Sequence, residues 1–151
     1  MRQCLAGAPK GAAIAGADRE PDEYEADDVL LRNHDVPYVV VAEAFVTPST
    51  PDDNIDSPAS WLQDGKLMLV TSAKATDLLV VYDGDSGKRL RSIGGSGKAL
   101  GKLSRPNGIA TIDDRFVFVV ERDNRRVQMF QLPEFTPLLA FGDDVLQQPY
   151  G

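Results

Sequence analysis

The sequence predicts an all-β fold, specifically a β-propeller fragment of about two four-stranded blades, and three observations predict it. Short β-branched and aromatic runs alternate with turn residues, and no segment carries the 3.6-residue period of a helix. The pattern repeats with a period near 48 residues, which matches about one propeller blade. Finally, Arg105-Pro106-Asn107-Gly108 opens the second copy, and Gln148-Pro149-Tyr150-Gly151 has the same X-Pro-X-Gly form. A β-sandwich would give a similar density of strands but not this period.

The elements follow in chain order. Residues 1–17 (MRQCLAGAPKGAAIAGA) are rich in Ala and Gly, but Pro9 and Lys10 break the apolar run that a secretory signal needs. Residues 18–28 (DREPDEYEADD) are acidic and expected to be disordered. Residues 1–35 therefore read as a disordered or mis-started N-terminal segment, and 36–151 as the partial β-propeller. Strands are expected at 36–46, 66–72, 77–82 and 89–93, with Asp83-Gly84-Asp85-Ser86-Gly87 as a hairpin turn between the last two. Four more are expected at 107–112, 115–120, 127–132 and 137–141. Trp61, Tyr82, Phe118 and Phe130 read as blade core.

Aligning the copies sets Lys66 on Arg115, Tyr82 on Phe130, Gly94 on Gly142 and Pro58 on Pro106, offsets of 49, 48, 48 and 48 residues. Blade one is expected at about 36–94, blade two at 95–147, and the start of blade three at 148–151. Propellers normally close with four to eight blades. Two blades leave open edges and faces with a liability to associate, so the chain reads as a piece of a longer propeller.

Composition narrows the chemistry. The net charge of −7 argues against a nucleic-acid surface, which needs a basic stripe. One cysteine, Cys4, excludes an internal disulfide and a cysteine zinc cluster. One histidine, His34, sits between Asn33 and Asp35 in an expected linker. No stretch approaches the ~18 apolar residues of a membrane-spanning helix. Gly94-Gly95-Ser96-Gly97-Lys98 is not a P-loop, because Ser92 stands where the first glycine belongs and Ala99 follows the lysine; an inter-blade loop is expected there.

Residues 94–130 (GGSGKALGKLSRPNGIATIDDRFVFVVERDNRRVQMF) resemble an NHL-type propeller repeat, in the glycine-spaced loop, the Pro-x-Gly-Ile opening and the Val-Val-Glu-Arg-Asp-Asn strand end. Residues 41–82, with VAEAFVTPSTPDDNIDSPASW followed by LMLVTSAKATDLLVVYD, are similar to the opening of bacterial β-propeller phytases. Together the likenesses cover residues 39–151. That resemblance implies a six-bladed, Ca²⁺-dependent phosphatase acting on inositol hexakisphosphate, secreted or periplasmic, and monomeric when complete. This chain would hold about a third of it, with most acidic ligands in other blades and little turnover alone. Two alternatives stay open: a non-catalytic NHL-type scaffold, and a metal-dependent lactonase-like propeller.

By the phytase resemblance, Asp56 matches an acidic position near the metal and phosphate site, with Asp53 and Glu43 as further metal candidates. Ca²⁺ takes six to eight hard oxygen ligands, which carboxylates supply. Ser57 stands where the family often has a second Asp. The same Asp-Asn-Ser-Pro composition also reads simply as a turn. Lys74 and Arg122 match phosphate-contacting residues, since lysine offers a compact charge and arginine a two-pronged grip. The mixed-charge run 121–126 also reads as a solvated turn.

Overall fold

The computed structural model describes residues 39–151. The expectations for residues 1–35, including Cys4 and His34, lie outside the described residues. The chain divides into two units, Met1–Ala42 and Glu43–Gly151, and every strand among the described residues belongs to the second. That unit is all-β: two antiparallel four-stranded sheets and one short 3₁₀ turn, Pro51–Asp53. Among the described residues no helix is long and apolar enough to cross a membrane.

The first sheet is a meander of β1 (Ile55–Gln63), β2 (Lys66–Ala73), β3 (Leu78–Asp83) and β4 (Arg89–Gly94), paired in that order. The second repeats it with β5 (Pro106–Ile112), β6 (Phe116–Glu121), β7 (Arg126–Gln131) and β8 (Thr136–Phe141). The turn between β3 and β4 has a local cause. The Asp83 carboxylate accepts from the Asp85 and Ser86 backbone N–H groups and the Ser86 hydroxyl, at 3.2, 2.9 and 2.8 Å, which folds the 83–87 turn on itself.

The expected strand at 36–46 does not form over its described part, 39–46. Val39, Val40 and Val41 are more than four-fifths exposed despite their β-branched side chains. The edge of β2 is taken instead by Ile55–Gln63, which Asp64-Gly65 joins to it by a two-residue turn. A near neighbour closes the smaller loop and wins the pairing. This strand carries Pro58, which reads as a breaker, yet β1 is an edge strand with a bulge between Ile55 and Pro58, where proline is tolerated.

The register also corrects the repeat. From β2 onward the offset is a constant 48: Met68 pairs with Asp83 as Phe116 pairs with Gln131, so Lys66 does not fall on Arg115. In the first strands it is 51, because the bulge lies at Ile55/Pro58 in β1 and at Pro106/Ile109 in β5. Pro58 therefore corresponds to Ile109, not Pro106. The β1–β2 hairpin is longer, which absorbs the three residues.

The core lies between the sheets. Trp61, Met68, Val70, Leu79 and Val81 from the first pack with Val117, Val119 and Phe130 from the second, and Leu103 enters from the connecting loop. Tyr82 and Phe118, expected as core, are half-buried. The sheets meet chiefly through β1 and β5, and next through β2 and β5. The Thr111 hydroxyl donates to the Ser60 carbonyl at 2.6 Å, and the Leu62 N–H donates to the Asp114 carboxylate at 2.8 Å. The outer strands β4 and β8 are largely exposed.

Candidate functional site

Lys74 and Arg122 occupy matching places, each just after the second strand of its sheet and 48 residues apart. The backbone repeats around them. The Lys74 N–H donates to the Asn54 carbonyl, and the Arg122 N–H to the Arg105 carbonyl, both at 3.1 Å. Asn54 and Arg105 both take the left-handed conformation, with φ of 47° and 48°. The two sheets thus present one basic residue each at the same rim.

Their surroundings differ. Lys74 is 5% exposed, and its ammonium lies 3.4 Å from the Asp56 carboxylate, which also accepts from the Ser57 hydroxyl at 3.3 Å. The residue corresponding to Asp56 in the second sheet is Asn107. It is wholly buried, and neither its amide nitrogen nor its oxygen has a hydrogen-bond partner among the described residues. A buried amide left unpaired costs on the order of 1–3 kcal/mol. Arg122 is half-buried, and no hydrogen bond or ion pair reaches its guanidinium among the described residues.

Asp53 belongs to a different cluster. Burial alone would raise its pKa, but Arg89 at 2.6 Å and the Thr76 hydroxyl at 3.0 Å hold it below the usual carboxylate value. Its charge is thereby committed to fastening the 3₁₀ turn to β4. Glu43 lies on an exposed segment without regular structure. Among the described residues no three acidic, histidine or cysteine side chains group closely enough to hold a metal. With Asp53 bound to Arg89 and Asp56 to Lys74, these three acids do not make a calcium cage by themselves.

Clefts open on the surface of the described residues. One, of about 280 Å³, is lined by Lys98, Asp123, Asn124, Arg125, Arg126 and Asp143. Another, of about 410 Å³, is apolar and runs along Pro58, Ile109, Phe118 and Val120. None of the five residues singled out in the sequence lines either cleft.

The largest polar constellation is one that sequence reasoning missed. Glu121 is fully buried and accepts four hydrogen bonds: from Arg126 Nε at 2.6 Å, Gln128 Nε2 at 2.7 Å, Asn124 Nδ2 at 2.6 Å and the Ser104 N–H at 2.9 Å. Arg126 and Gln128 in turn hold the carbonyls of Lys98 and Lys102. The cluster clamps the 95–104 loop onto the second sheet. The signal for it was the alternation in FVFVVE, which puts Glu121 on the same face as Val117 and Val119. That loop is indeed no phosphate cradle, since the Gly95 and Gly97 N–H groups are spent on the Asp77 and Leu103 carbonyls.

The sequence matches no protein-family model and no curated protein.

Proposed function

We propose that the two sheets are successive β-propeller blades, and that their shared rim binds phosphate groups as part of a phytase-like phosphatase. The blade reading is supported by the radial pattern of contact, close at β1 and β5 and open at β4 and β8. The observation that carries the functional reading is the matching placement of Lys74 and Arg122. A polyphosphate such as inositol hexakisphosphate offers several anions at once, and basic side chains from adjacent blades engage neighbouring groups. Arg122, with its donors uncommitted among the described residues, grips a phosphate with two N–H groups. Asn107, buried where the first sheet has Asp56, supplies a polar side chain still in need of a partner among the described residues.

Calcium in this reading requires oxygen ligands beyond Asp53, Asp56 and Glu43, so this chain contributes phosphate grip rather than a metal cage. Inositol hexakisphosphate titrated calorimetrically into the chain is expected to bind, with affinity falling as salt rises. Arg122→Ala is expected to weaken binding about 10–100-fold, the loss of charged hydrogen bonds. Unchanged affinity in Arg122→Ala would sink the reading.

One observation favours the non-catalytic scaffold instead. Asp56–Lys74 and Asp53–Arg89 are pairs in which the expected metal acids serve cations of the same chain. Absence of phosphate binding in a folded protein would leave that reading standing.

A further inference from the structure

The two sheets do not have equivalent outer faces. Strand alternation and the observed register put Ile112, Phe116, Phe118, Val127, Met129 and Phe141 on the face of the second sheet turned away from the first. Ile112 and Phe141 are 49% and 47% exposed, and the other four are half-buried. A contiguous apolar face of this kind marks an interaction surface.

The internal repeat says what fits it. By the 51- and 48-residue offsets, Ile112 corresponds to Trp61, Phe116 to Met68 and Phe118 to Val70. Val127 corresponds to Leu79, Met129 to Val81 and Phe141 to Ile93. Those counterparts are the side of the core that the first sheet contributes, covered by Val117, Val119 and Phe130. The open face of the second sheet therefore has the chemistry of a face this chain already covers with a sheet. The same chain carries the complement: Leu69, Thr71 and Tyr82, half-buried on the outer face of the first sheet, correspond to Val117, Val119 and Phe130.

We infer that the open face of the second sheet docks the outer face of the first sheet of another copy, head to tail. This rests on the blade reading above. A heterologous contact of this type closes into a ring when its rotation divides a full turn, and four to eight blades correspond to two to four copies. The occupant is a second copy because the repeat itself specifies the complementary surface, residue against residue.

Sedimentation of the full 151-residue chain at about 100 μM, where a 1 μM interface is saturated, is expected to give two to four times 16.4 kDa. About 0.15 M salt screens the −7 charge of each copy. Ile112→Asp blocks one end and Leu69→Asp the other; each is expected to be monomeric, with association weakened about 100-fold or more by a carboxylate in an apolar contact. An equimolar mixture of the two is expected to give dimers and nothing larger, since one good interface remains. Phe141→Asp and Tyr82→Asp serve if circular dichroism shows either first variant unfolded. A monomeric wild-type chain overturns the inference, and so does Leu69→Asp that leaves assembly intact, because the contact would then be face to itself. Inositol hexakisphosphate titration of the wild-type chain separates the readings: binding by a wild-type chain that stays monomeric refutes only the docking, and a wild-type chain that assembles without binding refutes only the phosphate site.

Discussion

Glu121 shows how much stability one misread residue carries. In the sequence it belongs to a charged run, Glu121-Arg122-Asp123-Asn124-Arg125-Arg126, that reads as a solvated turn. In the structure its charge is wholly buried and met by four donors. Glu121→Ala is expected to cost about 3–5 kcal/mol, because Arg126 and its neighbours lose their acceptor in a buried setting. Glu121→Gln, which keeps one accepting oxygen, costs less; urea unfolding measures both. Asp83 is the more open counterpart. The Lys66 ammonium at 2.5 Å and the Ser86 hydroxyl and N–H hold its carboxyl well below the usual value. A depressed folded pKa means that its contribution is complete above the unfolded value of about 4 and is lost as pH falls below it. Thermal melts from pH 7 downward are expected to show a shallower acid-side loss in Asp83→Asn than in wild type. Equal slopes would show that the pair contributes nothing. The two phosphate candidates were legible only as residue types at like positions; that Asn107 stands in the second sheet where the first has Asp56 needed the register to find.

At the level of elements, the turns, the three later strands of the first sheet and all four strands of the second were legible, with ends shifted by a residue or two. Turn chemistry and alternation are local, and they act on the chain wherever it lies. The first strand of the first sheet was not. A run such as Val39-Val40-Val41 has high strand propensity, but propensity only says that a segment suits a pleated surface. Which segment pairs with β2 is decided by loop closure, and Asp64-Gly65 gives that place to residues 55–63. Gly94 and Gly142 show where a closing glycine matters. They stand at φ of +107° and +93°, and an added β-carbon would lie 2.7 Å from Leu103 and Leu146 respectively. Gly94→Ala is expected to destabilise by about 1–2 kcal/mol from the backbone alone, with the crowding of fully buried Leu103 in addition. A variant with an unchanged unfolding midpoint would mean that the loop re-forms around the methyl group.

On the scale of the whole molecule, the two sheets share one core and are expected to unfold together. Trp61 of β1 stands edge-on to Phe135, beyond β7, with ring centres 5.6 Å apart, so its fluorescence reports the contact between sheets. Phe130 is wholly buried on the opposite side of that core. Phe130→Ala is expected to cost about 3–5 kcal/mol, and to shift the Trp61 signal and the far-ultraviolet circular dichroism by the same amount. If the circular dichroism splits into two steps while Trp61 follows only one, the sheets are independent folding units.

The sequence by itself determined that this unit is all-β, that it is built twice from one four-stranded pattern, and that the second-strand ends carry matching basic residues. Periodicity and turn chemistry are properties of neighbouring residues, so a string of letters contains them. Only the tertiary structure decided which segment supplies the first strand and where the offset changes from 48 to 51. It alone decided that Asp53 and Asp56 face cations of their own chain, and that Glu121 and Gln128 lie in the interior. Each of those outcomes depends on a residue from another strand or loop arriving at a particular place. Burial and charge pairing are settled by that arrival, because the same carboxylate is a solvated surface group in one setting and the centre of a buried hydrogen-bond cluster in another.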